Sequence, residues 1–138
     1  MERFLEMYNK LNLDNLHLLG EVYSDNVHFV DPAHEIRGLD SLTSYFEGLY
    51  QNVTAINFDY RDVNETENSC YLQWDMKFRH TRFAGGKEIL VSGATFIRKG
   101  SDGKVEYHRD YFDLGEMIYE NLPLLGRLIT AVKGRLGK

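Results

Sequence analysis

Apolar residues recur at helical spacing in the first third of the chain and at alternate positions in most of the remainder. Phe4, Leu5, Tyr8 and Leu11 predict a first helix, and Asp14 is placed to cap a second, shorter one that buries Leu16, Leu19, Val22 and Tyr23. Val27 to Asp31 reads as a short strand stopped by Pro32, which brings no N–H to a ladder and biases Asp31 toward extended geometry. After a loop from Ala33 to Leu39, Asp40 is an N-cap candidate for a helix with the stripe Leu42, Tyr45, Phe46 and Leu49.

From Val53 the period becomes that of strands, with turn signals at Asn64 to Asn68, Gly85-Gly86 and Ser101-Asp102-Gly103, so four antiparallel strands are predicted in succession. Between Cys70 and His80 the even positions Cys70, Leu72, Trp74, Met76, Phe78 and His80 form the core face. Lys87 to Arg98 is apolar on both sides, which predicts a helix layer on one face and a partner subunit on the other. Past Asp113, a helical turn at Met117 to Tyr119 precedes a final amphipathic helix opened by Pro123. Its stripe is Leu124, Leu128, Ile129, Val132 and Leu136, and its cations are Arg127, Lys133, Arg135 and Lys138. The stripe is expected to dock on the domain, a membrane-surface helix being the alternative.

With 138 residues, 43% of them apolar, and no linker or repeat, the chain is expected to form one domain over 1–138 whose last part, 114–138, is a helical tail. A net charge of −5 without a basic run argues against nucleic-acid binding. Cys70 is the only cysteine, which excludes an intrachain disulfide framework and a cysteine-based zinc site. No export signal or span-length apolar run is visible, so a cytoplasmic protein without membrane attachment is expected. The histidines include no close pair of metal-ligand spacing, and there is neither a phosphate loop nor a nucleophile elbow; no metal and no cofactor are expected.

Asp31 shares a strand face with Val27 and Phe29, placing a carboxylate at the edge of the buried side. Two readings stand: a general base in a dry mouth, or a turn cap accepting nearby backbone N–H groups. Tyr23-Ser24-Asp25-Asn26-Val27-His28-Phe29-Val30-Asp31-Pro32, then Ile36-Arg37-Gly38, Tyr45-Phe46, and Gly103-Lys104-Val105 through His108-Arg109-Asp110-Tyr111-Phe112-Asp113 resemble the nuclear transport factor 2-like superfamily in its SnoaL-like branch. The resemblance runs over residues 4 to 113. It implies an α+β cone, a curved and mainly antiparallel sheet wrapped around about three N-terminal helices, with a pocket in its mouth. By similarity to ketosteroid isomerase, Asp31 is the base and Tyr8 falls near the oxyanion-binding tyrosine. The isomerase's second oxyanion donor would fall at Gly93 to Thr95, where no carboxyl group stands. By similarity to the cyclases, Asp110 on the last strand is an acid/base residue.

Alternation at Val105, Tyr107 and Tyr111 would put odd positions of the last strand inside, whereas the resemblance points His108, Asp110 and Phe112 inward and Arg109 away. Following the resemblance, Asp31, His108 and Asp110 are the expected catalytic residues. Tyr8, Tyr23, His34, Trp74, Met76, Phe78, His80 and Phe112 are the expected substrate-binding wall. The expected function is cofactor-free acid/base chemistry, isomerase-, cyclase- or dehydratase-like, on a small apolar carbonyl or polycyclic compound. The alternative is a non-catalytic module binding a small ligand or a protein through the same pocket. The apolar outer positions further predict a homodimer through the sheet.

Overall fold

The computed structural model describes residues 1–137; Lys138 lies outside the described residues. The first amphipathic segment forms α1 (Glu2–Lys10), which turns Phe4, Met7 and Tyr8 inward. A 3₁₀ turn at Leu16–Leu18 runs into the short α2 (Leu19–Val22). Asp14 does not cap this segment. Asn15 is the N-cap, and its amide side chain accepts from the Asn12 N–H at 2.6 Å and donates to the Lys10 carbonyl at 2.7 Å. Only an amide does both, which an aspartate cannot. Tyr23, expected at the end of the helix, opens the first strand.

Six strands form one mixed sheet in the order β2-β1-β6-β5-β4-β3. They are β1 (Tyr23–Val30), β2 (Glu35–Arg37), β3 (Val53–Glu65), β4 (Ser69–His80), β5 (Ile89–Lys99) and β6 (Val105–Phe112). β1 runs parallel to β6 and every other pairing is antiparallel. The four expected strands in succession are β3 to β6. β2 replaces part of the expected loop: it is too short to show a period, and it is held to β1 by a ladder and by His28 on Glu35 at 2.8 Å. α3 (Leu39–Tyr50) packs Leu42 and Phe46 inward. Its N-cap is Gly38 at φ 92°, a conformation that favours glycine, and Asp40 sits in the first turn, where a negative charge suits the helix dipole.

The face of β6 is set by a bulge. Arg98 pairs with Tyr107 but Lys99 with Val105, so Glu106 is an extra residue on β6. The parity of the strand therefore flips: Val105 is buried before the bulge, His108 after it, and Tyr107, Arg109 and Tyr111 face out. Alternation holds only for Val105: Tyr107 and Tyr111, which it would place inside, face out, and the inward set after the bulge is the one the resemblance implies.

On the convex face, Tyr71 is 59% exposed, Leu90 52% and Tyr111 51%. Phe96 packs between Tyr71 and Tyr107, with ring centroids 4.6 and 6.0 Å away, while Arg98 and Arg109 lie over the Tyr107 and Tyr111 rings. After β6 come α4 (Leu114–Met117), a 3₁₀ turn, and α5 (Pro123–Arg135). The α5 stripe does not dock as expected: Leu124 is 82% and Leu128 61% exposed, and Val132 and Leu136 are exposed as well. The helix is held by its other side. Gly126 lies on the Glu120 backbone where a Cβ would overlap it, and Lys133 bonds Asp113 and Glu120. No described helix is long and apolar enough to cross a membrane.

Gly93 lies opposite Trp74 in the β4–β5 ladder, and the indole occupies the space a side chain would take. A Cβ there would overlap the ring and stand 2.8 Å from the Tyr111 carbonyl oxygen. Gly93→Ala is expected to cost about 1–3 kcal/mol in denaturant unfolding and to change the Trp74 emission. Unaltered stability together with an unaltered spectrum would show that the close approach is not a constraint.

Candidate active-site pocket

The concave face of the sheet and helices α1 and α3 enclose a cavity of about 300 Å³. Nearly half of the residues in its wall are aromatic, with rings from α1 (Phe4, Tyr8), α3 (Tyr45, Phe46, Tyr50), β3 (Phe58, Tyr60), β4 (Trp74, Phe78) and β6 (Phe112) among them. Phe58 stands edge-on to Trp74 and stacks on Tyr60, and Phe112 lies 6.0 Å from the indole. No lysine or arginine lines the cavity among the described residues, and Asp31 and Asp110 are its only carboxylates. Such a wall admits apolar matter and disfavours anions.

Asp110 projects inward because the bulge turns even positions of β6 to the concave side. Its cross-strand partner is Thr95, whose hydroxyl donates to Asp110 Oδ1 at 2.6 Å. Trp74 Nε1 donates to Thr95 Oγ at 2.8 Å; because an indole N–H only donates and a carboxylate only accepts, the threonine proton must point to Asp110. His108 Nε2 meets the same Oδ1 at 2.7 Å. Oδ2 has no partner among the described residues, and the side chain keeps 19% of its exposure in the cavity wall. One oxygen is anchored, and the other is available.

Asp31 is held differently. Its Oδ1 accepts from the Ala33 and His34 N–H groups, both at 2.8 Å, and its Oδ2 accepts from the Tyr45 hydroxyl. The turn-cap reading is realised, and the same carboxylate lines the cavity with both oxygens engaged by donors.

The cavity also receives Tyr8, Trp74, Met76, Phe78, His80, Phe112 and His108 from the expected set. Two expected residues are not in the wall. Tyr23 is wholly buried behind it, bonding Tyr8 and His108, and His34 is more than half exposed outside, its ring 4.9 Å from that of Tyr45. Tyr23 leaves the wall because it starts a strand rather than ending a helix. His34 leaves it because the turn closed by Asp31 directs its side chain outward. Burial and the Arg82 cation push the His80 imidazole down from its usual value, so it faces the cavity uncharged at neutral pH.

Three lining tyrosines escaped the sequence reading: Tyr45, Tyr50 and Tyr60. Tyr45 stands in the sequence as an apolar stripe position and in the Tyr45-Phe46 pair of the resemblance, Tyr50 ends that helix, and Tyr60 alternates with Phe58 on β3. The alternation was the available signal. Burial holds the hydroxyls of Tyr45, Tyr50 and Tyr60 well above the ordinary phenol range, Asp31 adding to it for Tyr45, and Tyr50 and Asp110 for Tyr60. Burial does the same to Tyr8 and Tyr23, with Asp110 contributing to both. All five are neutral donors at any working pH. Among the described residues no three His, Cys, Asp or Glu side chains converge as a metal-ligand set.

A family model described as SnoaL-like domain matches residues 1–108. No curated protein matches the chain. Among solved structures, a protein from Agrobacterium tumefaciens assigned as an isomerase of the SnoaL-like family is similar at 17% identity, covering 81% of this chain and 92% of its own, with TM-score 0.63. One from Jannaschia sp. CCS1, assigned as a SnoaL-like polyketide cyclase, is 15% identical over 82% of this chain and 84% of its own, with TM-score 0.69. An LEH-like epoxide hydrolase from M. tuberculosis is 15% identical over 96% of this chain and 92% of its own, with TM-score 0.68. At these identities the likeness shows the shared fold alone.

The buried tyrosines give the fold an alkaline limit. Their folded pKa values lie above the unfolded value of about 10, so the stability linked to them is whole below that pH and is lost as pH rises beyond it. In an alkaline titration these five of the nine tyrosines should ionise only as the chain unfolds, their phenolate absorbance rising together with the loss of near-UV dichroism. Full tyrosine ionisation with near-UV dichroism intact would contradict their burial.

Proposed function

The chain belongs to the SnoaL-like domain family, and from that premise we propose that it is a cytoplasmic small-molecule enzyme of the isomerase or cyclase kind. It performs cofactor-free general acid/base chemistry on an uncharged, mostly apolar carbonyl compound. The observation that carries this reading is the unpartnered Oδ2 of Asp110, in a wall of aromatic rings, on a carboxylate whose other oxygen is anchored by His108 and Thr95. A base so held is aimed without a reorganisation cost.

In this reading Asp110 takes a proton from the carbon beside the substrate carbonyl, and the developing oxyanion accepts from neutral phenols on the cavity wall. Tyr50 and Tyr60 suit that part, since neither hydroxyl has a protein partner among the described residues. Asp31, first expected to be the base, instead fixes the mouth turn and orients Tyr45, its oxygens being engaged by three donors. That structures of the same fold are assigned as an isomerase and a polyketide cyclase is in keeping with this reading. An epoxide-hydrolase reading built on an arginine between two pocket aspartates lacks support, because Arg109 faces outward over Tyr111.

We also propose that two copies join through the convex face, where Tyr71, Phe96, Tyr107 and Tyr111 present aromatic rings of the kind that an isologous dimer buries. Light scattering is expected to report twice the 16.1 kDa chain mass at micromolar concentration, and a monomer mass would sink the dimer.

The chemistry can be tested with β-tetralone, a neutral bicyclic ketone. In heavy water the protein should accelerate exchange of the protons beside its carbonyl, and Trp74, the single tryptophan, should report binding by fluorescence. Asp110→Asn is expected to lower the exchange rate roughly a hundredfold or more. Asp31→Asn is expected to cost about 1 kcal/mol of stability and to leave exchange nearly unchanged. Loss of exchange in Asp31→Asn alone would return the base role to Asp31. Binding without exchange in the unmodified protein would identify a non-catalytic binding module.

A further inference from the structure

A chain of hydrogen bonds leaves the cavity at one group and returns to it at another. Tyr8 lines the cavity, and its hydroxyl bonds that of Tyr23. Tyr23 is wholly buried, and its hydroxyl meets His108 Nδ1 at 2.8 Å. His108 Nε2 meets Asp110 Oδ1 at 2.7 Å, and Asp110 faces the cavity again. Proton abstraction by Asp110 does not require Tyr23, which touches no ligand. Placing two phenols and an imidazole among Phe4 and Phe29 is costly unless every polar atom is satisfied, so the arrangement is a specific one.

Donor and acceptor capacity gives the chain a direction. The carboxylate only accepts, so His108 Nε2 carries a proton toward Asp110. In the neutral ring Nδ1 is then bare and accepts from Tyr23, whose oxygen accepts from Tyr8. Tyr8 therefore presents oxygen lone pairs to the cavity. When His108 holds a second proton, Nδ1 donates to Tyr23, Tyr23 donates to Tyr8, and the Tyr8 hydroxyl hydrogen turns to the cavity. The titratable groups facing His108 are Tyr8 from α1, Tyr23 from β1 and Asp110 from its own strand; its other ring neighbours, Phe4 and Phe29, are apolar.

We propose that Tyr8 is a second contact acid/base of the pocket and that Tyr23 is the positioning residue through which His108 supplies and stores its proton. The proposal rests on the acid/base reading of the site. The transfer balances within the chain. A substrate O–H proton passes to the Tyr8 oxygen as the Tyr8 proton passes to Tyr23 and the Tyr23 proton to His108 Nδ1. The electron pair of the broken O–H bond stays on the substrate oxygen, and the imidazolium remains paired with the Asp110 carboxylate. Protonation of a substrate oxygen runs the same three shifts in reverse. Burial holds both phenols well above their ordinary range, so a lasting phenolate is not available and the shifts must be concerted. Asp110 and Tyr8 thus act at two points of one substrate, at carbon and at oxygen.

Tyr23→Phe removes one buried oxygen and leaves Tyr8, His108 and Asp110 in place. Its β-tetralone affinity, read by Trp74 fluorescence, is expected to stay within about twofold, while the exchange rate falls about tenfold or more. Tyr8→Phe should lose a similar factor, and the double variant no more than either alone, as for residues acting in one path. In nitrogen NMR of labelled protein, β-tetralone should shift the His108 ring resonances in the unmodified chain and not in Tyr23→Phe or in Tyr8→Phe. If Tyr23→Phe does not fold, the rate and nitrogen shifts of Tyr8→Phe carry the same test. Exchange at full rate in Tyr23→Phe, with Asp110→Asn inactive, overturns the relay and leaves the base reading standing. Additive losses in the double variant, or His108 shifts that survive both substitutions, overturn it as well. Absence of exchange in the unmodified protein fails the base reading and the relay with it.

Discussion

A carboxylate inside an aromatic cone must be met by donors, and much of this structure is arranged around that requirement at Asp110. The apolar wall supplies none, so they come from neighbouring strands: Thr95 across the β5–β6 ladder and His108 two residues along β6. Each donor must itself be satisfied. Thr95 is met by the Trp74 indole, whose ring takes space left by the missing side chain of Gly93, and His108 is met by Tyr23, which is met by Tyr8. Asp110, Thr95, Trp74, His108, Tyr23 and Tyr8 thus form one connected network, since buried groups left half-satisfied cost more than they contribute.

Asp31 and Asp110 show how little a residue type says about its role. Asp31 follows the end of β1 and Asp110 lies inside β6, and both line the same cavity. Asp31 precedes a proline turn whose free N–H groups point back at it, so its charge is spent on local structure. Asp110 lies within a ladder whose backbone groups already have partners, so only side chains can reach it and one oxygen is left over. Availability follows from what the surrounding backbone still needs.

The two unpartnered apolar surfaces differ in origin. On the convex face, alternation requires that a strand buried on one side present its other residues outward, and the aromatic and aliphatic positions of β4, β5 and β6 gather there with arginines laid over the tyrosine rings. On α5, helical spacing predicts a stripe that packs. The structure turns it out because Gly126 and Lys133, on the other side, make the contacts that seat the helix.

Periodicity alone determined the order of the main elements: the N-terminal helices, the four antiparallel strands, the inward even face of β4 and the closing helix. These depend on neighbours within a few residues, and a residue's local spacing records them. Resemblance added the cone and the inward set of β6. What only tertiary structure decided were features made by partners distant in sequence. The Glu106 bulge flips a strand, the backbone around Pro32 claims Asp31, the buried position of Tyr23 makes it a link rather than a wall, and Tyr45, Tyr50 and Tyr60 come from two elements to line one space. A single sequence carries the period of each element but not the register between elements, and at this site the register sets which oxygen remains free.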